Sequence, residues 1–214
     1  MTGGALVVPA TAGPEFTVLL VCTGNVCRSP LAERLGRAHL AQLLGAESGT
    51  VRVVSAGTRA LVGSAMDPAS ARVLQSLGGD PSGFRARQLT ERIAASADLT
   101  LTMTRAHRQE VLVRAPRAMT RTFTLREAVE LLHLVDADAD AGAATPGDRG
   151  RALVRQLAAA RSRRSGSAAD DVLDPIGQPL EVHAGVGRAL NDALLPVLGR
   201  LSPSAVPGST GQRP

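Results

Sequence analysis

Two residues near the start of the chain, Cys22 and Arg28, have the types and the spacing for phosphate chemistry. A cysteine thiolate is a strong nucleophile, and a guanidinium can hold two oxygens of a phosphate at once. The residues between them can form a short loop whose backbone amides surround an anion. This segment therefore predicts a nucleophile that faces a bound phosphate.

The elements around this segment are those that such a site needs. The apolar run 16–21 predicts a buried parallel strand, and a helical pattern begins at Pro30. Cys22 would then lie at the carboxyl end of a strand, where open α/β sheets bind ligands, and next to the positive end of a helix. Asn25 tolerates a left-handed backbone, and Ser29 can cap the helix or donate to the thiolate.

Composition narrows the classes of protein. The 214 residues are 44% hydrophobic, enough for one domain, and the 24 basic residues are all arginine. The net charge of +5 suits phosphorylated partners, whereas three Phe without Tyr or Trp disfavour nucleic-acid binding. Two cysteines cannot build a disulfide framework, and a reactive free thiol fits a reducing compartment, so we expect a cytoplasmic location.

The pattern along the chain predicts a single α/β domain over 15–200. Strand signals at 51–54, 98–103 and 120–123 alternate with helical patterns, which indicates a three-layer fold with a four-stranded parallel sheet flanked by helices. A polar, Gly- and Pro-containing segment over about 136–170 predicts a surface insertion that is partly mobile. A last helix is expected over 180–198, with Pro196 as a candidate early end.

The chain ends and the apolar content carry further predictions. Residues 1–14 lack a basic segment and predict a flexible leader, and the Ser/Pro/Gly-rich residues 201–214 predict a disordered tail. No apolar run approaches the ~20 residues that span a bilayer, so no membrane partner is expected. The oligomeric state is not indicated.

A second chemical element is Asp174. An attacking thiolate expels an oxygen that needs a proton, and a carboxylic acid on a shaped loop can supply it. Asp174 is followed by Pro175 and Gly177, which restrict and shape the backbone. The spacing alone leaves two interpretations open, a general acid and an ordinary turn aspartate.

The loop 22–33 and the pair Asp174-Pro175 together resemble the low-molecular-weight protein tyrosine phosphatase family. Further similar stretches are 55–58, 86–89 and 96–103, and the resemblance extends from about 16 to 200. It implies a small parallel sheet flanked by helices and catalysis without a metal or other cofactor. The related arsenate reductases need further cysteines, and none follows Cys27.

The resemblance also implies roles for individual residues. Cys22 resembles the nucleophile that becomes a phosphocysteine, Arg28 the clamp on the phosphate oxygens, and Asp174 the acid that then activates water. The other implied residues bind the phosphate or support its loop: Thr23, Gly24, Asn25, Val26, Cys27, Ser29 and Ser55.

The substrate class is the point on which the sequence departs from the family. Phe84 stands where the family has a supporting His, and Leu61 and Ile176 replace the usual aromatic walls. An apolar Val26 resembles tyrosine-directed members, whereas arginine phosphatases have Thr there. We therefore expect hydrolysis of phosphotyrosine in phosphorylated protein substrates, with phosphoarginine as the alternative. The rival class is a catalytically weak module that binds phosphoproteins.

The sequence leaves two interpretations of the second cysteine and indicates no metal site among the histidines. Cys27 either packs at the helix start or forms a reversible disulfide with an oxidised Cys22. The four histidines lie on different predicted helices without ligand spacing, so no metal site is expected.

Overall fold

Four parallel strands form the central sheet of the computed structural model, which describes residues 15–136 and 143–203. Their order is β2-β1-β3-β4, and the register pairs Phe16 with Val51 and Cys22 with Gly57. The strands are β1 Phe16–Cys22, β2 Val51–Gly57, β3 Leu99–Thr102 and β4 Thr122–Thr124. The predicted four-stranded parallel sheet is confirmed.

Seven helices in the described residues connect and cover these strands. They are α1 Arg28–Leu44, α2 Pro68–Ser76, α3 Glu91–Ser96, α4 Arg105–Arg114, α5 Leu125–Leu132, α6 Pro146–Ala160 and α7 Leu180–Gly199. Polar side chains explain several of the starts: Thr104, Thr124 and Thr145 each accept a hydrogen bond from the third amide of the following helix.

The strand β1 divides the core into two layers because successive side chains point to opposite faces. Phe16, Val18 and Leu20 join the larger cluster, which contains residues of α1 and α7. Leu19 and Val21 join the smaller one, which contains residues of α3 and α4. Cys22 lies on the face of the larger cluster, so its thiol is directed toward α1.

The segment expected to be a surface insertion contributes to the core. The helix α6 places Leu153 and Leu157 in the larger cluster with no exposed surface. Their spacing of four residues puts them on one helix face, a signal hidden among Arg and Ala. The expected surface position is therefore wrong for α6, while residues 137–142 lie outside the described part of the chain.

The carboxyl end of the domain also differs from expectation. The helix α7 continues through Pro196 to Gly199, because burial of Leu194, Val197 and Leu198 offsets the hydrogen bond that proline removes. Leu201 is fully buried, so the expected tail does not start at 201. The rest of that tail from 204, and the leader 1–14, lie outside the described residues.

The packing of α6 predicts opposite effects for two glycine substitutions. A Cβ at Gly150 would lie 2.7 Å from the Phe16 ring, whereas one at Gly185 in α7 meets nothing within 4 Å. Gly150→Ala should lower the free energy of unfolding by about 1–3 kcal/mol through overpacking. Gly185→Ala should raise it by up to about 1 kcal/mol through helix propensity.

Urea denaturation followed by circular dichroism measures both changes. Equal stabilisation by the two substitutions would show that α6 does not pack against β1.

Candidate active site

The carbonyl groups of the loop between β1 and α1 accept hydrogen bonds from a neighbouring segment, which hold the loop in place. The amides of Thr58, Arg59, Leu61 and Asp67 donate to the carbonyls of Cys22, Thr23, Gly24 and Val26 respectively, at 2.9–3.0 Å. In contrast, the amides of Gly24, Val26 and Cys27 have no hydrogen-bond acceptor among residues 15–136 and 143–203. The loop therefore keeps donors available for an anion.

Two backbone positions allow this loop to close. Asn25 adopts the left-handed region with φ 55°, which asparagine tolerates better than most residues. Gly57, at the end of β2, passes so near that a Cβ there would lie 2.4 Å from the Thr23 carbonyl oxygen. Residue 57 must therefore be glycine for the neighbouring segment to reach the loop.

A buried chain of polar side chains links the Cys22 thiol to Glu33 in the second turn of α1. The Cys22 Sγ lies 2.9 Å from the Ser29 Oγ, which accepts from the Asn25 Nδ2 at 2.9 Å. The same Nδ2 donates to the Ser55 Oγ at 2.8 Å, and Ser55 donates to the Glu33 carboxylate at 2.6 Å. Since Ser29 already accepts from Asn25, its own proton is free to point at the sulfur.

Glu33 was not anticipated from the sequence, although it lies on the first turns of the helix that follows the loop. Its carboxylate also pairs with Arg37, at 2.7 Å. The network is closed at Asn25, whose Oδ1 accepts from the Arg87 amide at 2.8 Å. Phe84, at the position where the resemblance implies a supporting histidine, is buried in the core.

Arg28 is buried and faces the same cavity as Cys22. One terminal nitrogen donates to the Val172 carbonyl at 3.1 Å, and the other pairs with the Asp174 carboxylate. The Arg28 Nε has no partner within the described parts of the chain. This arginine can thus offer further hydrogen bonds to an oxyanion.

Asp174 reaches the site because the loop before α7 is anchored to α4 and to the residue that follows β3. The Val172 amide donates to the Met103 carbonyl at 2.7 Å, and Asp171 accepts from the Arg105 amide at 2.8 Å. The Asp174 side chain is 40% exposed. It is positioned between Arg28 and solvent, on the rim of the cavity.

His107 is a further residue that the sequence analysis missed. Its Nε2 lies 2.8 Å from the Thr23 Oγ1, and its Nδ1 lies 2.8 Å from the Thr104 Oγ1. Burial, together with the nearby charge of Arg28, lowers the pKa of His107 to about 4. The neutral ring therefore fixes the Thr23 side chain. The sequence signal for His107 was its spacing of three residues from Thr104, which caps the helix.

The two cysteines have different surroundings. Both are buried, and Cys22 lies beside Ser29 at the base of the cavity. Burial raises the pKa of the Cys27 thiol to about 12, so Cys27 remains protonated at neutral pH. This environment agrees with a packing residue, and a disulfide with Cys22 remains a prediction.

The cavity has a volume of about 220 Å³. Its upper walls are Leu61 and Ile176, which are 55% and 50% exposed. Val26 lines the cavity below them, and Arg59 is an exposed cation in the lining that was not anticipated. All the predicted loop residues and Asp174 are thus brought together, with Asn25, Ser29 and Ser55 behind the loop.

Fold and site together define the class as cysteine-dependent phosphatases built on a parallel α/β sheet. Comparison with known proteins agrees. The low molecular weight phosphotyrosine protein phosphatase family matches residues 17–140. A probable low molecular weight protein-tyrosine-phosphatase EpsP of Ralstonia nicotianae is 41% identical over 111 residues, 52% of this chain and 71% of the relative.

Solved structures show the same fold. The tyrosine phosphatase Wzb from Escherichia coli K30, in complex with sulphate, has a TM-score of 0.60 at 26% identity, covering 87% of this chain and 98% of that one. The YwlE arginine phosphatase from Geobacillus stearothermophilus has a TM-score of 0.57 at 30% identity, covering 87% and 90%. The chain belongs to the low molecular weight phosphotyrosine protein phosphatase family.

The burial of His107 predicts a contribution to the pH dependence of stability. Its pKa is about 4 in the folded protein but about 6.5 in an unfolded chain, so the unfolded chain binds more protons between these values. This contribution is fully present above pH 6.5. It should decrease by roughly 2–3 kcal/mol as the pH falls to 4.

His107→Gln should remove most of this slope, whereas the exposed His133→Gln should retain it. Urea denaturation at several pH values measures the free energy of unfolding for each variant. An unchanged slope in His107→Gln would contradict the assignment.

Proposed function

We propose that this phosphatase hydrolyses phosphotyrosine in proteins through a phosphocysteine formed on Cys22. The observation that carries the proposal is the position of the Cys22 Sγ. It lies 2.9 Å from the Ser29 hydroxyl, at the base of a cavity that Arg28 and Asp174 also line. This arrangement places a nucleophile, an anion clamp and an acid around one small volume.

Substrate binding would use the loop and Arg28. The free amides of the loop and the positive end of α1 attract a phosphate dianion. Arg28 would offer its unpartnered Nε and the terminal nitrogen that pairs with Asp174. Phosphate would thereby replace the Asp174 carboxylate on Arg28, which frees Asp174 to take a proton from solvent and to face the leaving group.

The first chemical step is attack of the Cys22 thiolate on phosphorus. The P–S bond forms as the bond between phosphorus and the tyrosine oxygen breaks, and Asp174 gives its proton to that oxygen. The Ser29 hydroxyl stabilises the thiolate, and it is held in place by Asn25. The free amides bind the equatorial oxygens, on which negative charge is concentrated.

The second step returns the enzyme to its starting state. The Asp174 carboxylate takes a proton from a water molecule, which attacks phosphorus. The P–S bond breaks, inorganic phosphate leaves, and the Cys22 thiolate is regenerated. The atoms and protons of the two steps balance with this chain's own side chains and water.

The cavity walls favour an apolar leaving group. Val26, Leu61 and Ile176 can pack against a phenyl ring, as aliphatic side chains in place of aromatic ones. Asp174 is the sole carboxylate lining the cavity in the described residues, and it would carry the proton for the leaving group once substrate is bound. A guanidinium leaving group would therefore find little fixed negative charge.

The substrates are phosphorylated proteins, and we further propose that the enzyme works in the cytoplasm, without nucleic-acid or membrane partners. The proposed nucleophile is a thiol that must stay reduced, and this requirement supports a reducing compartment such as the cytoplasm. In the described part of the chain, no helix is long and apolar enough to cross a bilayer.

Three substitutions test the mechanism on an aryl phosphate without added metal. Cys22→Ser and Arg28→Ala should eliminate measurable turnover, and Asp174→Ala should lower kcat by about 10²–10⁴-fold because the leaving oxygen loses its acid. Cys22→Ser should still bind inorganic phosphate in calorimetry. Full activity of Cys22→Ser would end the proposal, and phosphate binding without any wild-type turnover would favour a binding module.

A second experiment compares the two phosphoamino acids directly. The unmodified chain should show a higher kcat/KM on a phosphotyrosine peptide than on a phosphoarginine peptide, because Val26 presents an apolar wall. Val26→Thr should shift this ratio toward phosphoarginine. A preference of the unmodified chain for phosphoarginine would reverse the substrate assignment while leaving the phosphocysteine mechanism intact.

A further inference from the structure

Beside the phosphate loop, the fold gathers three side chains that the proposed catalysis does not use. The Cys27 Sγ, a carboxylate oxygen of Asp67 and a ring nitrogen of His183 all lie within 4.8 Å of one another. The His183 Nδ1 is 3.6 Å from the Asp67 Oδ1. The same nitrogen is 2.9 Å from the Ser70 Oγ, which completes the cluster.

These residues come from three separate helix starts. Cys27 precedes α1, Asp67 caps α2, and His183 lies in the first turn of α7. Their separation along the chain is why sequence spacing showed no ligand set. Cys27 and His183 are 4% and 2% exposed, while the Asp67 side chain is 20% exposed and leaves a route from solvent.

We propose that Cys27, Asp67 and His183 form a binding site for Zn²⁺ or a similar borderline divalent cation. Thiolate, imidazole and carboxylate are the three ligand types that zinc takes from proteins, and the two anionic ligands balance its charge. A fourth position is left for the Ser70 hydroxyl or solvent.

The three side chains can reach a tetrahedral arrangement with small movements. Zinc bonds of about 2.0–2.3 Å place ligand atoms roughly 3.3–3.8 Å apart, and the His183–Asp67 pair is already in that range. The widest pair would close by on the order of 1 Å, within the reach of side-chain rotation. Binding would release the thiol proton of Cys27 to solvent.

Such a cation would join the phosphate loop to α2 and α7. Cys27 belongs to the loop through its backbone, and the Asp67 amide already donates to the Val26 carbonyl. An occupied site would therefore stabilise the loop against local opening. Binding of the cation does not depend on the phosphatase activity.

The test uses the full chain carrying Cys22→Ser, so that the nucleophile cannot bind the probe. Titration with Co²⁺ should give thiolate-to-cobalt charge-transfer absorption that saturates at about one equivalent, and Zn²⁺ should abolish the band. Zn²⁺ should also raise the Tm of this variant, since it binds the folded chain preferentially.

Matched variants in the same background identify the ligands. Cys27→Ser, which changes one atom, should eliminate the band. Asp67→Asn, which keeps the helix cap, should weaken Co²⁺ binding by about 100-fold or more, since the loss of an outer partner alone costs 10–100-fold. His133→Gln, at an exposed histidine outside the cluster, should leave it unchanged.

Circular dichroism establishes that each variant is folded before titration. Absence of the band in the Cys22→Ser chain, or its persistence after Cys27→Ser, would overturn the proposal.

Discussion

The outward anchoring of the loop carbonyls is the constraint on which the rest of the site depends. Because the segment after β2 binds the carbonyls of Cys22, Thr23 and Gly24, the loop cannot turn its acceptors inward. Its amides stay available to an anion at no cost of reorganisation when substrate arrives. The glycine at 57 is part of this constraint, because any side chain there would meet the Thr23 carbonyl.

The charges around this loop suit an anion that binds and then leaves. Arg28 is buried, yet its partner Asp174 is on an exposed, separately anchored loop. The ion pair can exchange for an arginine–phosphate pair without exposing the guanidinium to solvent. His107, neutral because burial and Arg28 lower its pKa, holds Thr23 without adding a competing charge.

Features formed by residues that are close together in the sequence were predicted better than features that bring distant residues together. The strand, loop and first helix are contiguous over 16–44, so apolar runs and helix signals placed Cys22 and Arg28 correctly relative to each other. Asp174 was a candidate because of its own Asp-Pro-Ile-Gly loop, although spacing alone left its role open. In contrast, α6 was misjudged because its two core leucines are surrounded by Arg, Ala and Gly.

By itself, the sequence determined the fold class, the phosphate loop and the family to which the chain belongs. The fold class and the loop rest on local chemistry, namely a buried strand, a helix start and the residue types between them, whereas the family rests on resemblance to its known members. The tertiary structure alone decided which distant groups support the loop. Glu33 meets Ser55 and His107 meets Thr23 only when the sheet has formed, because strand pairing and helix packing bring these side chains within hydrogen-bond distance.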